Sequence, residues 1–365
     1  MKFTVNNKKL LKAVNMLSKA VAVRTSIDVL RGIFFKTEGE NLVLISSNLE
    51  VGMQTSIECE TEVDGQLVIE SKMLLDIVRK LPYEDVTFET GENNLISIRC
   101  QNINFSIKYM PCEEFPMPDY IDENLYVELD GLKFKQLIES TGYAISAMDE
   151  KPEYSSHFIR MNGKNALMFS IDGFRIALCE REISNINFED KKFIVKGRTM
   201  LDIASFIEPE NKKIKFAYDD RHISVLIDKT IITTSLVVSR FLDYKSLIPT
   251  QFNSFVNVDL KNFTAAIERV SLVSSNKLII LETDSDMLKV SSYDESVGQG
   301  IEVIEANISG ENFRIGFNGN YMIDAVRHIT GEKIVLKLID EMSAAVITPE
   351  NDPSYINLVL PVKII

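Results

Sequence analysis

The sequence predicts an α+β protein built from three similar domains, each with two helices packed on antiparallel sheet. Three observations predict this class. A strand pattern gives way to a helix pattern at the start of each third of the chain. The same change recurs midway through each third, and matching positions in the thirds are separated by nearly constant spacings. Such repeats indicate that one structural unit is used several times.

The first strand–helix unit opens each third. Its strand alternates apolar and polar residues, and its helix then has apolar residues at spacings of three and four. The period of the apolar residues therefore changes from two to that of a helix. The three copies are Phe3–Val5 before Leu10, Leu11, Val14 and Leu17; Val127–Leu129 before Phe134, Leu137, Ile138 and Tyr143; and Val256–Val258 before Phe263, Ile267, Val270 and Val273.

The second strand–helix unit lies midway through each third. Its copies are Leu67–Ile69 before Met73–Ile77, Phe193–Val195 before Met200–Ile203, and Phe313–Ile315 before Met322–Ala325. The aligned Asp76, Asp202 and Asp324 are 126 and 122 positions apart, and Tyr120 and Tyr244 in two similar turns are 124 apart. These spacings agree with one third of the 365-residue chain.

Further strand patterns separate the helices, as at Leu42–Ile45, Ile96–Ile98, Ile223–Ile227 and Leu288–Val290. A helix must cover its apolar stripe, and one face of a sheet can do so. Turn-forming residues near Asp122 and Thr250 predict domain boundaries at these places. We therefore predict domains over residues 1–122, 123–250 and 251–365.

Composition excludes several classes. The chain is 45% hydrophobic, and no apolar run approaches the length of a membrane span. The Met1–Val5 segment enters a strand pattern without a leader-like apolar region, so we expect a cytoplasmic protein. Its cysteines are predicted to be buried free thiols, and three scattered histidines give no metal-ligand spacing, so neither a metal nor a cofactor is expected. The cysteines are Cys59, Cys100, Cys112 and Cys179.

Charge is unevenly distributed along the chain. Net charge is −13, which taken alone argues against a nucleic-acid partner. The six predicted helices nevertheless carry +11, leaving −24 elsewhere. Their charges are +5 for 7–25, +2 for 71–80, +1 for 131–147, +1 for 196–207, +2 for 260–277 and 0 for 319–330. If the six helices share one side of an assembly, that side is basic and would attract a polyanion. The alternative is that these lysines lie on ordinary solvated helix faces.

Enzyme motifs are missing from the sequence. Gly331-Glu332-Lys333 is an isolated turn rather than a phosphate loop, and Gly298-Gln299-Gly300 lacks a strand–helix context. Acidic pairs such as Asp219-Asp220 are expected in so acidic a chain, although a hydrolase that uses one stays a rival hypothesis. Asp172-Gly173 is typical of a hairpin turn.

Over its whole length the sequence resembles the bacterial DNA polymerase III beta sliding clamp family. The matching strings are Met1–Val5, Asp172–Ala177, Arg240–Tyr244, Gly316–Asn318 with Tyr321 and Asp324, and Leu358–Val362. The resemblance implies a ring-shaped homodimer whose helices line a hole for duplex DNA, with no catalysis of its own. It implies DNA contacts by Arg24 and Tyr154. The charge pattern adds Lys12, Lys72, Arg79, Lys80, Lys151 and Arg198.

The resemblance also implies a cleft that captures short linear motifs. Its expected partners are the DNA polymerase III catalytic subunit, the clamp loader, and other polymerases and repair proteins. The matching positions are Ile171, Gly173, Phe174, Arg175, Ile176, Leu242, Leu247, Leu278, Asn318, Tyr321, Met342, Val359, Leu360, Pro361 and Val362. The alternative is that apolar members such as Ile176 and Val359 are simply core.

Several positions depart from the family pattern. Phe174 stands where the family often has histidine, Leu242 where it has proline, Ser246 where it has arginine, and Ser155 where leucine is common. We expect the cleft to be retained with an altered motif preference.

The resemblance implies a subunit interface between domain one and the partner's domain three. Phe105 and Ile107 match one apolar side, and Leu272 and Val273 match the other. Acidic candidates for flanking ion pairs are Glu295, Glu302 and Glu305, but Asn102 and Asn104 replace the basic residues common opposite them. The alternative to the whole assignment is an acidic repeat protein that acts as a peptide-binding scaffold without DNA.

Overall fold

The structure, a computed structural model, describes residues 1–146 and 151–364. By their internal contacts these residues form two compact units. The first unit contains Met1–Leu132 with Ser205–Leu236, and the second contains Lys133–Ala204 with Val237–Ile365. Each unit is built on antiparallel sheet.

The first third of the chain forms nine strands and two helices. They are β1 (Lys2–Asn6), α1 (Asn7–Leu17), β2 (Gly32–Glu38), β3 (Asn41–Ser47), β4 (Val51–Glu58), β5 (Glu60–Val63), β6 (Gln66–Glu70), α2 (Ser71–Lys80), β7 (Asp85–Thr90), β8 (Leu95–Cys100) and β9 (Ile103–Lys108). Short 3₁₀ helices follow α1 at Ser18–Ala20 and precede β2 at Asp28–Arg31.

The described part of the middle third forms eight strands and two helices. They are β10 (Val127–Asp130), α3 (Gly131–Gly142), β11 (Ser156–Gly163), β12 (Asn165–Ile171), β13 (Arg175–Glu182), β14 (Phe188–Lys196), α4 (Gly197–Phe206), β15 (Lys213–Tyr218), β16 (His222–Ile227) and β17 (Thr230–Ser235). Single 3₁₀ turns lie at Glu123–Leu125 and Tyr244–Ser246.

The described part of the last third forms eight strands and two helices. They are β18 (Ser254–Asp259), α5 (Leu260–Ser271), β19 (Leu278–Asp284), β20 (Met287–Asp294), β21 (Gly298–Gly310), β22 (Arg314–Asn318), α6 (Gly319–Arg327), β23 (Lys333–Leu338), β24 (Ala345–Pro349) and β25 (Tyr355–Val359). The predicted α+β class is confirmed, with each helix beginning directly after a strand.

Polar caps explain why the strand pattern changes to helix where it does. The Asn6 side chain accepts a hydrogen bond from the Lys8 amide, Asp259 accepts from the Asn262 amide, and the carboxylate of Glu70 accepts from two amides at the start of α2. A side-chain oxygen at this position satisfies backbone donors that have no partner within the helix. The cap thereby fixes the first turn.

The helix predicted over 71–80 is confirmed, but others extend too far at their C-terminal ends. The helix predicted over 7–25 ends at Leu17, so Arg24 lies outside it, and the helix predicted over 260–277 ends at Ser271. The cause is local: the Ser18 hydroxyl donates to the Asn15 carbonyl, and the chain then tightens into a 3₁₀ turn. Position 147, the end of a third predicted helix, lies outside the described residues.

These shorter helices change the charge comparison. Within their observed bounds the six helices carry +7, and the rest of the chain carries −20. The contrast in sign remains, but part of the predicted basic charge, including Lys19, Arg24 and Lys277, belongs to turns and loops.

Three antiparallel sheets contain the strands. The first unit holds a five-stranded sheet, in the order β5-β1-β7-β8-β9, and an eight-stranded sheet, in the order β10-β15-β16-β17-β4-β3-β2-β6. The second holds a twelve-stranded sheet, in the order β14-β11-β12-β13-β25-β24-β23-β18-β21-β20-β19-β22. Strands from different thirds of the chain therefore pair, as β4 does with β17 and β13 with β25.

Aromatic side chains form stacked clusters in the cores of both units. Phe3 and Phe88 stack at 4.9 Å between ring centroids in the first unit. Phe158 and Phe169 stack at 4.6 Å in the second, where Phe241 packs edge-on against both. Burial of such rings is the main stabilising contribution to each core. No helix among the described residues is long and apolar enough to cross a membrane.

Candidate DNA-binding surface, partner cleft and subunit interface

A basic groove lies between α1, α2 and the end of α4 in the first unit. We define this basic groove by Lys8, Lys12, Lys19 and Arg79, which line a cavity of about 620 Å³ together with Tyr83. Four cations on one concave surface in a chain of net charge −13 form a local site of opposite sign. Such a surface can bind the phosphates of a nucleic acid without reading its bases.

Lys12 and Arg79 have partners within the chain. The Lys12 Nζ lies 2.9 Å from an Oε of Glu208, and Arg79 donates to the Asn15 side chain at 2.9 Å. Both members of the Lys12 pair are about half exposed, so water and salt screen their attraction. Arg79, by contrast, keeps a neutral partner and its full charge.

Four further predicted DNA contacts are exposed cations that do not line the groove. Lys72 and Lys80 lie on α2, and Arg24 lies in the loop between the 3₁₀ turns. Arg198 lies on α4, where its Nε is 3.4 Å from the Asp202 carboxylate. The structure thus brings Lys12 and Arg79 into one groove, whereas Arg24 is not on α1 as predicted.

Lys151 and Tyr154 lie together in the second unit. The Lys151 ammonium is 5.1 Å from the centre of the Tyr154 ring, within the range of a cation–π contact. The same ring lies beside Gly173, because a Cβ at Gly173 would be 3.5 Å from Tyr154 Cε2. Tyr154, predicted as a DNA contact, is therefore also a neighbour of the predicted partner cleft.

The Asp172–Arg175 turn joins β12 to β13 and forms one wall of that cleft. Gly173 has a φ of +92°, which favours glycine because a side chain there would clash with the backbone. The Asp172 carboxylate accepts from the amides of Phe174 and Arg175 at 2.9 and 3.1 Å. The predicted hairpin turn is confirmed, and it presents the Phe174 ring, 58% exposed, to solvent.

Arg175 connects this turn to α6. Its guanidinium donates to Asp172 at 2.8 Å and to Asp324 at 2.7 Å, and lies 4.4 Å from the centre of the Tyr321 ring. Burial opposes the charge, but the two carboxylates outweigh it and raise the Arg175 pKa. The Tyr143 ring lies on the guanidinium at 5.3 Å, a contact that the sequence interpretation missed.

The predicted cleft positions divide into buried and accessible residues. Ile176 and Val359 are buried in the core, as the alternative interpretation held, and Asn318 caps α6 through its side chain. Ile171 and Leu242 are half-buried against the Phe158 core, and Leu278 pairs with Asn318 across β19 and β22. The accessible apolar members are Phe174, Leu247, Met342, Leu360 and Val362.

One cavity of about 470 Å³ collects the C-terminal members of the set. Met342, Leu360, Pro361 and Val362 line it, and the Val362 amide donates to the Gly316 carbonyl at 2.8 Å, which fixes the segment to β22. Arg314, Glu341 and Lys363 also line this cavity and were not predicted, since isolated surface charges carry no sequence signal.

The predicted interface residues lie on one strand edge and at the end of one helix. Phe105 and the half-buried Ile107 lie on β9, the last strand of the five-stranded sheet. Leu272, 81% exposed, and Val273 follow α5 in the second unit. Ile301 and Val303 on β21 are also exposed and were missed, although alternation along that strand could have revealed them.

Glu302, predicted as a flanking acid for a partner, already has a cationic partner in its own chain. Arg269 of the same chain donates to both of its carboxylate oxygens, at 2.8 and 2.5 Å, and lowers the Glu302 pKa. Glu295 and Glu305 have exposed side chains and remain candidates for that role.

The cysteines are buried and free, as predicted, and burial raises their pKa values, that of Cys179 to about 12. Within residues 1–146 and 151–364, no three histidine, cysteine or acidic side chains converge as a metal site.

Repeated strand–helix units, a basic groove and an apolar cleft at a hairpin turn together define a DNA-clamp type of protein. Family models for the DNA polymerase III beta subunit match nearly the whole chain: the N-terminal domain model at 1–119, the central at 128–243 and the C-terminal at 245–363. The chain belongs to this family of bacterial DNA polymerase III beta subunits.

Curated and solved relatives agree over the full length. The beta sliding clamp of Bacillus subtilis (strain 168) is 24% identical and that of Staphylococcus aureus 22%, with 100% of this chain covered and at least 99% of each relative. The Bacillus subtilis clamp structure has a TM-score of 0.94 at 23% identity, and a griselimycin-bound clamp from Pseudomonas aeruginosa has 0.93 at 22%, each covering both chains completely.

Family membership decides between the hypotheses from the sequence. The chain is a DNA sliding clamp and not an enzyme, and the acidic peptide scaffold without DNA is not supported.

Proposed function

We propose that two copies of this chain close into a ring around duplex DNA and tether replication and repair proteins to it. The observation that supports this most directly is the basic groove, because it concentrates cations in a chain whose net charge is strongly negative. Phosphate contacts of this kind are independent of sequence and sensitive to salt, so they permit sliding. In a closed ring, topology rather than affinity would retain the protein on DNA.

The ring requires a subunit interface, which we propose joins β9 of one copy to the end of α5 and the neighbouring β21 of the other. Phe105 and Ile107 would contribute one apolar side, and Leu272 and Val273 the other. The edge position of β9 and the exposure of Leu272 support this pairing. An interface that uses two different surfaces of each subunit closes when a twofold axis relates the copies.

The cleft around Phe174, Tyr321, Met342 and Leu360 is the proposed site for partner proteins. Exposed apolar side chains beside a rigid turn are suited to the anchor residues of a short linear motif. The expected partners are the DNA polymerase III catalytic subunit, the clamp loader, and other polymerases and repair proteins.

The proposed location is the cytoplasm, where bacterial DNA is replicated. Domain boundaries at 122 and 250 remain our proposal; the family models begin and end within seven residues of both.

Retention on circular DNA tests the tether. The chain is loaded onto nicked circular DNA by a clamp loader, and its co-elution with the DNA is followed by gel filtration in moderate salt. We expect co-elution with circles and loss after the DNA is linearised, because a ring can slide off a free end. Equal retention on circles and linear DNA contradicts encirclement.

A further inference from the structure

Glu208 projects a carboxylate into the basic groove. It follows α4, and its carboxylate lies 2.9 Å from the Lys12 ammonium. The backbone around it is firmly held: its amide donates to the Asn211 side chain at 2.8 Å, and its carbonyl accepts from the Asn211 amide at 2.9 Å. Asn211 is itself buried and donates to Asp228 at 2.8 Å. The acid is therefore held in place at one cation of the groove.

We infer that Glu208 competes with DNA phosphate for Lys12 and so weakens the hold of the groove on DNA. This inference rests on the proposed function of the groove as a DNA-binding surface. A carboxylate and a phosphate oxygen accept the same ammonium protons, and the Glu208 charge repels an approaching phosphate, so Glu208 weakens the contact of a phosphate with Lys12. Exposed ion pairs are modest in strength, which makes the exchange easy and reversible.

The other groove contacts set Lys12 apart. Arg79 is held by the neutral amide of Asn15, which orients the guanidinium and leaves its charge uncompensated. Lys12, in contrast to Arg79, has a carboxylate at contact distance. One cation is thus neutralised in the free protein, while Arg79 is ready to attract phosphate.

For a sliding protein, the consequence is a lower affinity for DNA while the shape of the groove is unchanged. Each phosphate that a free cation neutralises releases counterions and steepens the salt dependence of binding, by about 0.9 in the logarithmic slope. While Lys12 is paired with Glu208, it contributes less than this to the salt slope. Removing the carboxylate should therefore add about one phosphate contact to the groove.

The test measures binding of a fluorescein-labelled, random-sequence DNA duplex by anisotropy across a series of salt concentrations. Full-length Glu208→Gln is compared with the wild type, with Lys12→Gln, and with the double variant. Glu210→Gln is the matched control, since it removes the same charge from an exposed side chain two residues away. Thermal melting verifies that every variant is folded.

We expect Glu208→Gln to bind the duplex about two- to fivefold more tightly at fixed salt. Its logarithmic salt slope should be steeper than that of the wild type by about 0.9. The slope of Glu210→Gln should equal that of the wild type, and the slope of the double variant should equal that of Lys12→Gln. An unchanged slope in Glu208→Gln, or equal steepening in Glu210→Gln or the double variant, overturns the inference. If the wild type binds no DNA at any salt, or if Arg79→Gln binds DNA as tightly as the wild type at every salt, the DNA-binding role of the groove fails and the inference falls with it.

Discussion

Arg175 and Asp324 are joined by a hydrogen-bonded ion pair of 2.7 Å, although 149 positions separate them in the chain. The pair connects the hairpin turn that presents Phe174 to the helix that carries Tyr321, and these two rings stack at 6.1 Å. Two walls of the proposed cleft are therefore held together by one guanidinium.

Arg175→Met should disrupt this arrangement. The change leaves Asp172, whose side chain is 9% exposed, without its cationic partner, and breaking a buried pair costs about 3 kcal/mol. We expect that loss of stability in urea unfolding, with weaker binding of a labelled motif peptide. Arg327→Gln is the control, because Arg327 makes only a long, exposed contact of 3.9 Å with Asp324. Equal effects of the two substitutions would contradict the role given to Arg175.

The accessible cleft residues should determine peptide affinity. Met342→Ala and Leu360→Ala each remove an exposed apolar side chain from the 470 Å³ cavity. We expect each to weaken a labelled clamp-binding peptide about tenfold, as loss of an apolar anchor contact typically does. Ile186→Ala, beyond the far end of β13, should bind normally. If both cavity variants bind the peptide as tightly as the wild type, the peptide binds at another site.

The proposed subunit interface should fail when a charge is introduced. Phe105→Asp or Leu272→Asp would bury an unpaired carboxylate between subunits, which is strongly unfavourable. Analytical sedimentation should then detect monomers at concentrations where the wild type is dimeric. Val63→Asp is a suitable control, because Val63 is exposed on β5 at the opposite end of the same sheet. Dimers in both interface variants exclude this pairing.

Neutralising two predicted DNA contacts should flatten the salt dependence of binding. Arg24→Gln combined with Arg79→Gln removes two cations, so we expect the logarithmic slope for duplex DNA to fall by about two. The pair Arg24→Gln and Lys72→Gln should act similarly. Lys164→Gln, in the turn between β11 and β12, should leave the slope unchanged. If both double variants keep the wild-type slope, these residues do not contact DNA.

His157 should make stability depend on pH. Complete burial lowers its pKa from 6.5 to about 4, so the unfolded chain takes up a proton first as the pH falls. The stability is complete above about pH 6.5 and is lost between there and pH 4. We expect a loss of about 2 kcal/mol at pH 5 relative to pH 7, measured by urea unfolding. His157→Met should remove this component, and an identical pH dependence in the variant refutes the assignment.

Local sequence patterns predicted the starts of the helices well and their ends poorly. A polar cap such as Asn6 marks a start, whereas apolar residues continue past Leu17 into a 3₁₀ turn and imitate a longer helix. The pairing of β4 with β17 was beyond prediction, because strands so far apart in sequence leave no local signal.

The functional site likewise has a part that the sequence predicted and a part that it did not. Charge identified Arg79, and the family resemblance identified Phe174 and Met342, each as an individual residue. The contacts that define their setting, such as Arg175 with Asp324 and Lys12 with Glu208, join residues 149 and 196 positions apart. Such pairs depend on tertiary packing that no single segment encodes.

Processive synthesis on primed circular DNA, with a clamp loader and the cognate polymerase, tests the central claim most directly. Product length is measured under conditions in which each polymerase binds the template only once. The account predicts that adding this chain lengthens the products greatly and that linear templates lose the effect. Products of the same length with and without the chain would contradict its role as a sliding tether.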